Sequence, residues 1–161
     1  MGYSHNMSLV GAILIAYLHF SYAQNAPQDY VNAHNQARKE VGVGPVKWDA
    51  KLAKTAENEV NKLKTNCTMR NSTRFYENGE NLAIGGGQFT GTDAVKLWIS
   101  KKGNYNYKSN TCIHGSCVRY LQVVWKKTIL IGCARVKCNN NDWLVICRYD
   151  PPGNIKGEKP Y

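Results

Sequence analysis

Six cysteines behind an apolar leader constrain this chain more than any other feature of its sequence: Cys67, Cys112, Cys117, Cys133, Cys138 and Cys147. Residues 1–23 carry no charged side chain, and the apolar run from Leu9 to Phe20 is shorter than a membrane span. We therefore predict a signal peptide over residues 1–23 and a secreted chain whose cysteines form three disulfides. A zinc site is the weaker alternative, because no Cys-x-x-Cys pair occurs.

The spacing of the cysteines favours one pairing among the many that six cysteines allow. Cys133 and Cys147 are equidistant from Asn140 in the predicted hairpin turn at residues 139–142, so we expect them to face each other across the ladder. Cys112 and Cys117 are close enough to clip a short loop, which leaves Cys67 for Cys138. The last bridge closes the longest loop and is expected to stabilise the fold most.

Helix signals dominate the first half of the predicted mature chain. Pro27 begins a helix that ends at Gly42, and Asp49 is placed to cap a second helix. A third helix is predicted to start at Thr92 or Asp93. These three segments supply the helical part of the fold.

Strand signals dominate the second half. Segments rich in β-branched and aromatic residues predict strands at Leu121–Trp125, Leu130–Val136 and Trp143–Tyr149. Residues 66–91 are polar and rich in Gly and Asn, which predicts a long loop. The pattern indicates an α+β fold of helices packed on an antiparallel sheet, in one domain over residues 24–161 that ends in an extended tail, Pro151 to Tyr161.

The formal net charge of +10 is concentrated in the C-terminal part, where residues 101–161 carry 11 basic and 3 acidic side chains. Such a field favours anionic partners, so we expect an anionic surface or polysaccharide rather than a specific nucleic acid. Solubility alone is an equally good interpretation of the charge. We expect a monomer that does not span a membrane.

Segments in every part of the predicted mature chain resemble the CAP superfamily of cysteine-rich secretory, antigen 5 and pathogenesis-related class 1 proteins. They include His34–Arg38, Val41–Trp48, Gly79–Ala83 and Gln122–Trp125. The likeness is strongest to the plant pathogenesis-related class 1 group. It implies a three-layer α-β-α sandwich with the same three disulfides, export to the extracellular space (the apoplast), and a role in defence.

The resemblance also implies a cleft that, in many members, is lined by two His and two Glu and binds a divalent metal. The matching positions here are Asn71, Glu80, Lys101 and Arg119. Because two of these four cleft positions are cations, we expect no metal, no cofactor and no catalytic residue. Glu80 is expected to pair with Arg119 or Lys101. A metal-dependent hydrolase that uses this cleft is the alternative.

Two further sites follow from the resemblance. In defence-type members the last residues resemble a released signalling peptide, and the junction here is Asp150–Pro151. Packing of the tail on the domain is the alternative. Sterol or fatty-acid binding is attributed to the loop after helix three, where Tyr105 and Tyr107 lie. Ordinary aromatic packing is the alternative, and we favour it over lipid binding.

Two Asn-x-Thr patterns predict N-glycosylation of a secreted chain, at Asn66 and at Asn71. Asn66 stands beside the disulfide residue Cys67, so Asn71 is the better acceptor. A glycan there would stand at the mouth of the predicted cleft.

Overall fold

The computed structural model describes residues 25–65, 67 and 79–161. In those ranges the helices are α1 (Pro27–Glu40), α2 (Ala50–Leu63), α3 (Gly91–Ile99) and α4 (Val118–Val123), with a 3-10 helix at Ser100–Asn104. The strands are β1 (Lys47–Trp48), β2 (Glu80–Gly85), β3 (Tyr105–Asn106), β4 (Thr111–Cys112), β5 (Leu130–Lys137) and β6 (Trp143–Asp150). The predicted signal peptide (residues 1–23), Asn66 and Asn71 lie outside the described residues. Along the part of the chain that is described, every helix is too short or too polar to cross a bilayer.

The first two helices begin as their sequences predict. Pro27 occupies the first turn of α1, where the Asp29 carboxylate accepts the Ala26 N–H at 2.8 Å. The Asp49 side chain caps α2 by accepting the Leu52 N–H at 2.8 Å. Both predictions are confirmed.

The third helix lies where it was expected but begins earlier than predicted. Thr90 caps α3, accepting the Asp93 N–H at 3.1 Å, while the Asp93 carboxylate accepts the Thr90 N–H at 2.9 Å. This reciprocal capping box places Asp93 inside the first turn instead of at its start.

The main sheet has the strand order β1-β5-β6-β2. β6 pairs antiparallel with both β5 and β2, and the short β1 pairs parallel with β5. The hairpin register sets Cys133 opposite Cys147, as their spacing from the turn predicts.

β6 is buried on both faces, and its side chains alternate between two cores. Leu144 and Ile146 pack with residues of α2. Val145, Cys147 and Tyr149 point the other way, into a larger core shared with α1, α3 and α4. The sheet is therefore the middle layer of an α-β-α sandwich, and the predicted fold class is confirmed.

Two predicted elements are wrong. The segment Leu121–Trp125, predicted as a strand, falls largely in α4, which ends at Val123. The predicted loop at residues 66–91 contains β2, a six-residue strand paired along its whole length with β6. The second correction matters for function, because β2 carries Glu80.

The three disulfides join the cysteine pairs that the spacing predicts: Cys67–Cys138, Cys112–Cys117 and Cys133–Cys147. Cys67–Cys138 ties the region after α2 to the end of β5, across 71 residues of sequence. Cys112–Cys117 closes the small loop that leads from β4 to α4.

Candidate functional site

Glu80, the carboxylate among the four cleft positions, is buried in an ion pair with Arg148. The distance between Glu80 Oε2 and Arg148 Nη2 is 2.7 Å, and only 1% of the Glu80 side chain is exposed. The register of β2 and β6 produces this contact, because it sets Glu80 directly opposite Arg148. The charge of the cleft carboxylate is thus balanced by a cation of the same sheet.

Arg148 was not foreseen as the partner of Glu80. The cleft positions alone predict Arg119 or Lys101 as the partner of Glu80, and Arg148 is a partner that only the register of β2 and β6 reveals. The missing information was the strand β2: while residues 66–91 were interpreted as a loop, nothing linked Glu80 to Arg148.

The other cleft positions lie on neighbouring elements. Lys101 is half-buried in the 3-10 helix, which packs against α4, and Arg119 is half-buried in the first turn of α4. The Arg119 carbonyl accepts a hydrogen bond from Asn81 Nδ2 at 2.9 Å, which joins α4 to the start of β2. Asn71 lies outside the described residues. Among the described residues, these positions and Arg148 bring one carboxylate and three cationic side chains to the same group of elements.

Among the described residues, no cluster of three or more His, Cys, Asp or Glu side chains could hold a metal ion. The described cleft positions have the wrong chemistry for the metal that the superfamily implies, since Glu80 pairs with Arg148 and the positions of the second Glu and the second His are occupied by Lys101 and Arg119. His114 is exposed in the short Cys112–Cys117 loop. The described residues at the cleft do not fit a divalent cation.

A buried hydrogen-bonded chain links α1 to β6 and β2. His34 Nδ1 donates to the Tyr30 carbonyl at 2.7 Å, so its Nε2 accepts from the Tyr149 hydroxyl at 2.8 Å. Asn81 Nδ2 in turn donates to that hydroxyl at 3.2 Å. Burial lowers the pKa of His34 to about 4 and raises that of Tyr149, so both groups are neutral at physiological pH. His34 is therefore a structural histidine.

Arg38 is a buried cation bonded entirely to backbone carbonyls. Its guanidinium donates to the carbonyls of Gly44, Val123, Trp125 and Thr128 at 2.7 to 3.0 Å. Burial lowers the pKa of Arg38 to about 10. The contacts fasten α1 to the chain that follows α4, so Arg38 organises the region where the C-terminal tail lies.

The candidate lipid-loop residues form an aromatic cluster with the last residue of the chain. The rings of Tyr107 and Tyr161 are stacked, with centroids 5.1 Å apart and planes at 9°. Tyr105 meets both rings edge-on, at 6.4 Å from Tyr107 and 6.1 Å from Tyr161. Lys159 Nζ lies 4.0 Å from the centre of the Tyr107 ring. The sequence analysis did not foresee that the tail contacts this loop.

The junction between sheet and tail is accessible. Both Asp150, the last residue of β6, and Pro151 are exposed. The chain becomes buried again at Gly153, two residues after Pro151, where the Gly153 N–H donates to Gln122 Oε1 at 2.9 Å. A Cβ at Gly153 would come within 2.7 Å of the Trp125 ring.

A groove of about 490 Å³ lies between α1 and α3. Its lining residues include Asp29, Asn32, Gln36, Lys96 and Ile99, and most of the surface that they expose to the groove is apolar. No sequence motif pointed to it, because its lining comes from two helices that are distant in sequence.

Comparisons with known proteins agree with this architecture. A family model described as CAP, the cysteine-rich secretory protein family, matches residues 31–149. The chain is 50% identical to pathogenesis-related protein 1 of Arabidopsis thaliana, over 96% of this chain and 91% of that protein. It is 49% identical to the basic form of pathogenesis-related protein 1 of Nicotiana tabacum, over 93% and 82% of the two chains.

Solved structures share the fold. Venom allergen-like protein 4 of Schistosoma mansoni is 31% identical with a TM-score of 0.65, over 84% of this chain and 92% of that one. A structure of NaASP2 with Zn2+ has a TM-score of 0.67 at 21% identity, over 87% and 88% of the two chains. At that identity the second likeness concerns the fold alone.

Proposed function

Since the chain belongs to the CAP family of cysteine-rich secretory proteins, we propose that it is a secreted, defence-related protein of the plant pathogenesis-related class 1 that acts by binding. Relatives of that name, nearly half identical over almost the whole chain, support this proposal. In this proposal residues 1–23 are removed, residues 24–161 form a single extracellular domain, and the protein works as a monomer without a metal and without catalysis.

The Glu80–Arg148 ion pair carries the part of the proposal that concerns the cleft. A divalent cation at Glu80 would have to displace a guanidinium 2.7 Å from the carboxylate, in a region that also holds Lys101 and Arg119. Repulsion from these cationic side chains and desolvation of the metal ion cost more free energy than attraction to the single Glu80 carboxylate provides. A metal-dependent hydrolase is disfavoured for the same reason.

Calorimetric titration with zinc tests this proposal. The wild-type protein is expected to release no stoichiometric heat. A variant that restores the superfamily's ligand types and removes the guanidinium (Asn71→His, Lys101→Glu, Arg119→His and Arg148→Asn) is the positive control and is expected to bind. One zinc bound per wild-type chain, with the binding abolished in Glu80→Gln, would overturn the non-metal proposal.

The target of binding is proposed on two observations. Tyr107 stacks on Tyr161 but is still 46% exposed, and this exposed part of the ring suits a partly apolar ligand such as a sterol. The net charge of +10 suits an anionic lipid surface or polysaccharide. A labelled-sterol assay comparing wild type with Tyr105→Ala and Tyr107→Ala tests sterol binding, and absence of binding by wild type would contradict it.

The salt dependence of binding to anionic vesicles tests attraction to an anionic surface, because electrostatic attraction weakens as the salt concentration rises.

We propose in addition that the chain is the precursor of a peptide comprising residues 151–161. The exposure of Asp150 and Pro151 supports this second role, since a protease needs access to the bond that it cuts. Mass spectrometry of extracellular fluid tests it directly. A peptide that begins at Pro151 and ends at Tyr161 is expected, and finding the C-terminal segment only on the intact chain would contradict the role.

A further inference from the structure

The C-terminal tail contacts the rest of the fold along most of its length. Beyond the Gly153 contact with Gln122, the Asn154 Nδ2 donates to the Val118 carbonyl at 3.1 Å. Glu158 makes an ion pair with Lys127 at 2.7 Å, and its carbonyl accepts from Asn110 Nδ2 at 3.1 Å. These bonds join the tail to α4, to the segment after it and to the β3–β4 turn.

The end of the tail is the part most firmly held. The Pro160 carbonyl accepts the Lys126 N–H at 2.7 Å, and Pro160 is buried. The Tyr161 ring stacks on Tyr107 and meets Tyr105 edge-on, and its hydroxyl lies 3.3 Å from that of Tyr120. The terminal tyrosine therefore has an aromatic partner on two sides.

Covalent attachment at Asp150 contributes little to these contacts. The contacts described above lie on residues 153–161. At the junction Asp150 and Pro151 are exposed, and their backbone carbonyls are held, Asp150 O by the Ile129 N–H at 2.9 Å and Pro151 O by the Thr128 hydroxyl at 2.8 Å. A peptide with several such anchors can remain bound after its chain is cut, because the contacts of its far end do not depend on the broken bond.

We propose that this fold contains a binding site for a peptide that carries a tyrosine at the position of Tyr161, occupied in the intact protein by its own tail. This tail site consists of Tyr105, Tyr107, Val118, Gln122 and Lys126. Cutting the bond between Asp150 and Pro151 then leaves the tail in place, and dissociation is a separate, slower step. The inference deepens the proposed precursor role, for which it predicts two-stage release.

The experiment uses the full chain with a recognition sequence for a sequence-specific protease inserted between Asp150 and Pro151. After cutting, the tail is expected to co-elute with the protein on gel filtration and to separate only in denaturant. Elution of the wild-type tail as a free peptide in the first native run would overturn the proposal.

Two substitutions of the last residue locate the anchor. Tyr161→Ala removes both ring contacts, each worth roughly a factor of five, so the cut tail is expected to dissociate about 30-fold faster. Tyr161→Phe keeps the ring and loses only the long contact with Tyr120, so its rate should stay within about threefold of wild type. Equal rates for all three proteins would exclude the aromatic anchor.

Hydrogen exchange on the uncut chain gives a second readout that needs no insertion. The Lys126 amide, which donates to Pro160, is expected to be protected in wild type and in Tyr161→Phe but less so in Tyr161→Ala. Unchanged protection in Tyr161→Ala would contradict the proposal. If extracellular fluid contained no free peptide while the cut tail stayed bound in vitro, the precursor role would fail and the tail site would stand.

Discussion

The Glu80–Arg148 ion pair combines a fully buried carboxylate with a guanidinium that is 23% exposed. Removing one member of such a pair costs more than removing both, because a lone buried charge is left behind. Each charge of the pair therefore offsets the cost of burying the other, and the pair as a whole adds little net stability.

Arg148→Ala is predicted to destabilise the fold by about 3 kcal/mol, since the buried Glu80 would lose the cation that lies 2.7 Å from its carboxylate. The double variant Glu80→Gln with Arg148→Gln is expected to lose less than this single change. Urea unfolding of the two variants and wild type measures the difference. Equal losses would mean that the two side chains are not coupled.

The buried His34 predicts a specific dependence of stability on pH. Its pKa is about 4 in the folded protein against 6.5 in the unfolded chain, so the unfolded chain binds more protons between these values. Stability is expected to fall as pH drops from 6.5 to 4, by about 3 kcal/mol from this residue.

The variant His34→Gln isolates this contribution from that of the carboxylates. It should be less stable than wild type at pH 7, yet lose less stability between pH 6.5 and 4. Thermal unfolding at a series of pH values measures both curves, and parallel curves would show that His34 does not titrate in this window.

At the scale of elements, the two wrong predictions have the same origin, because in both segments polar side chains are buried and the polar and apolar pattern does not report burial. Gln122 and Val123 at the end of α4 are buried, as are Val124 and Trp125 after it, so this segment has no exposed polar face from which a helical period could be recognised. β2 lies at an edge of the sheet but carries four consecutive buried residues, Glu80 to Ala83. Two of these are polar, and only the tertiary contacts of Glu80 and Asn81 account for their burial.

The packing of α2 on β5 depends on Gly132. A Cβ there would overlap the backbone of Leu52 and Ala53, and backbone cannot move aside as a flexible side chain can. Gly132→Ala is predicted to destabilise the protein by at least about 2 kcal/mol. The matched control is Gly103→Ala, since a Cβ on Gly103 meets no atom within 4 Å and its φ is ordinary. Similar melting temperatures for the two variants would contradict this account.

At the scale of the whole molecule, the disulfides differ in how much of the chain they constrain. Cys67–Cys138 spans 71 residues and Cys112–Cys117 spans 5. In the chain-entropy model, replacing the first pair by alanines costs about 4 kcal/mol and replacing the second about 2. Denaturant unfolding of the two double variants measures which one loses more free energy of unfolding. A larger loss for the variant without Cys112–Cys117 would show that native packing around Cys117 outweighs loop entropy.

The sequence by itself determined the features that depend on neighbours along the chain. The capped starts of α1 and α2, the β5–β6 hairpin and the facing of Cys133 and Cys147 follow from local propensity, turn chemistry and strand alternation. The other two cysteine pairs followed by proximity and elimination.

Only the tertiary structure decided which side chains meet across long stretches of chain. The pairing of Glu80 with Arg148 depends on the register of β2, a strand whose sequence resembles a loop. The stacking of Tyr161 on Tyr107 required the course of the whole tail. Such contacts arise from the simultaneous packing of several elements, so no local pattern encodes them, and it is these contacts that define both the cleft and the tail site.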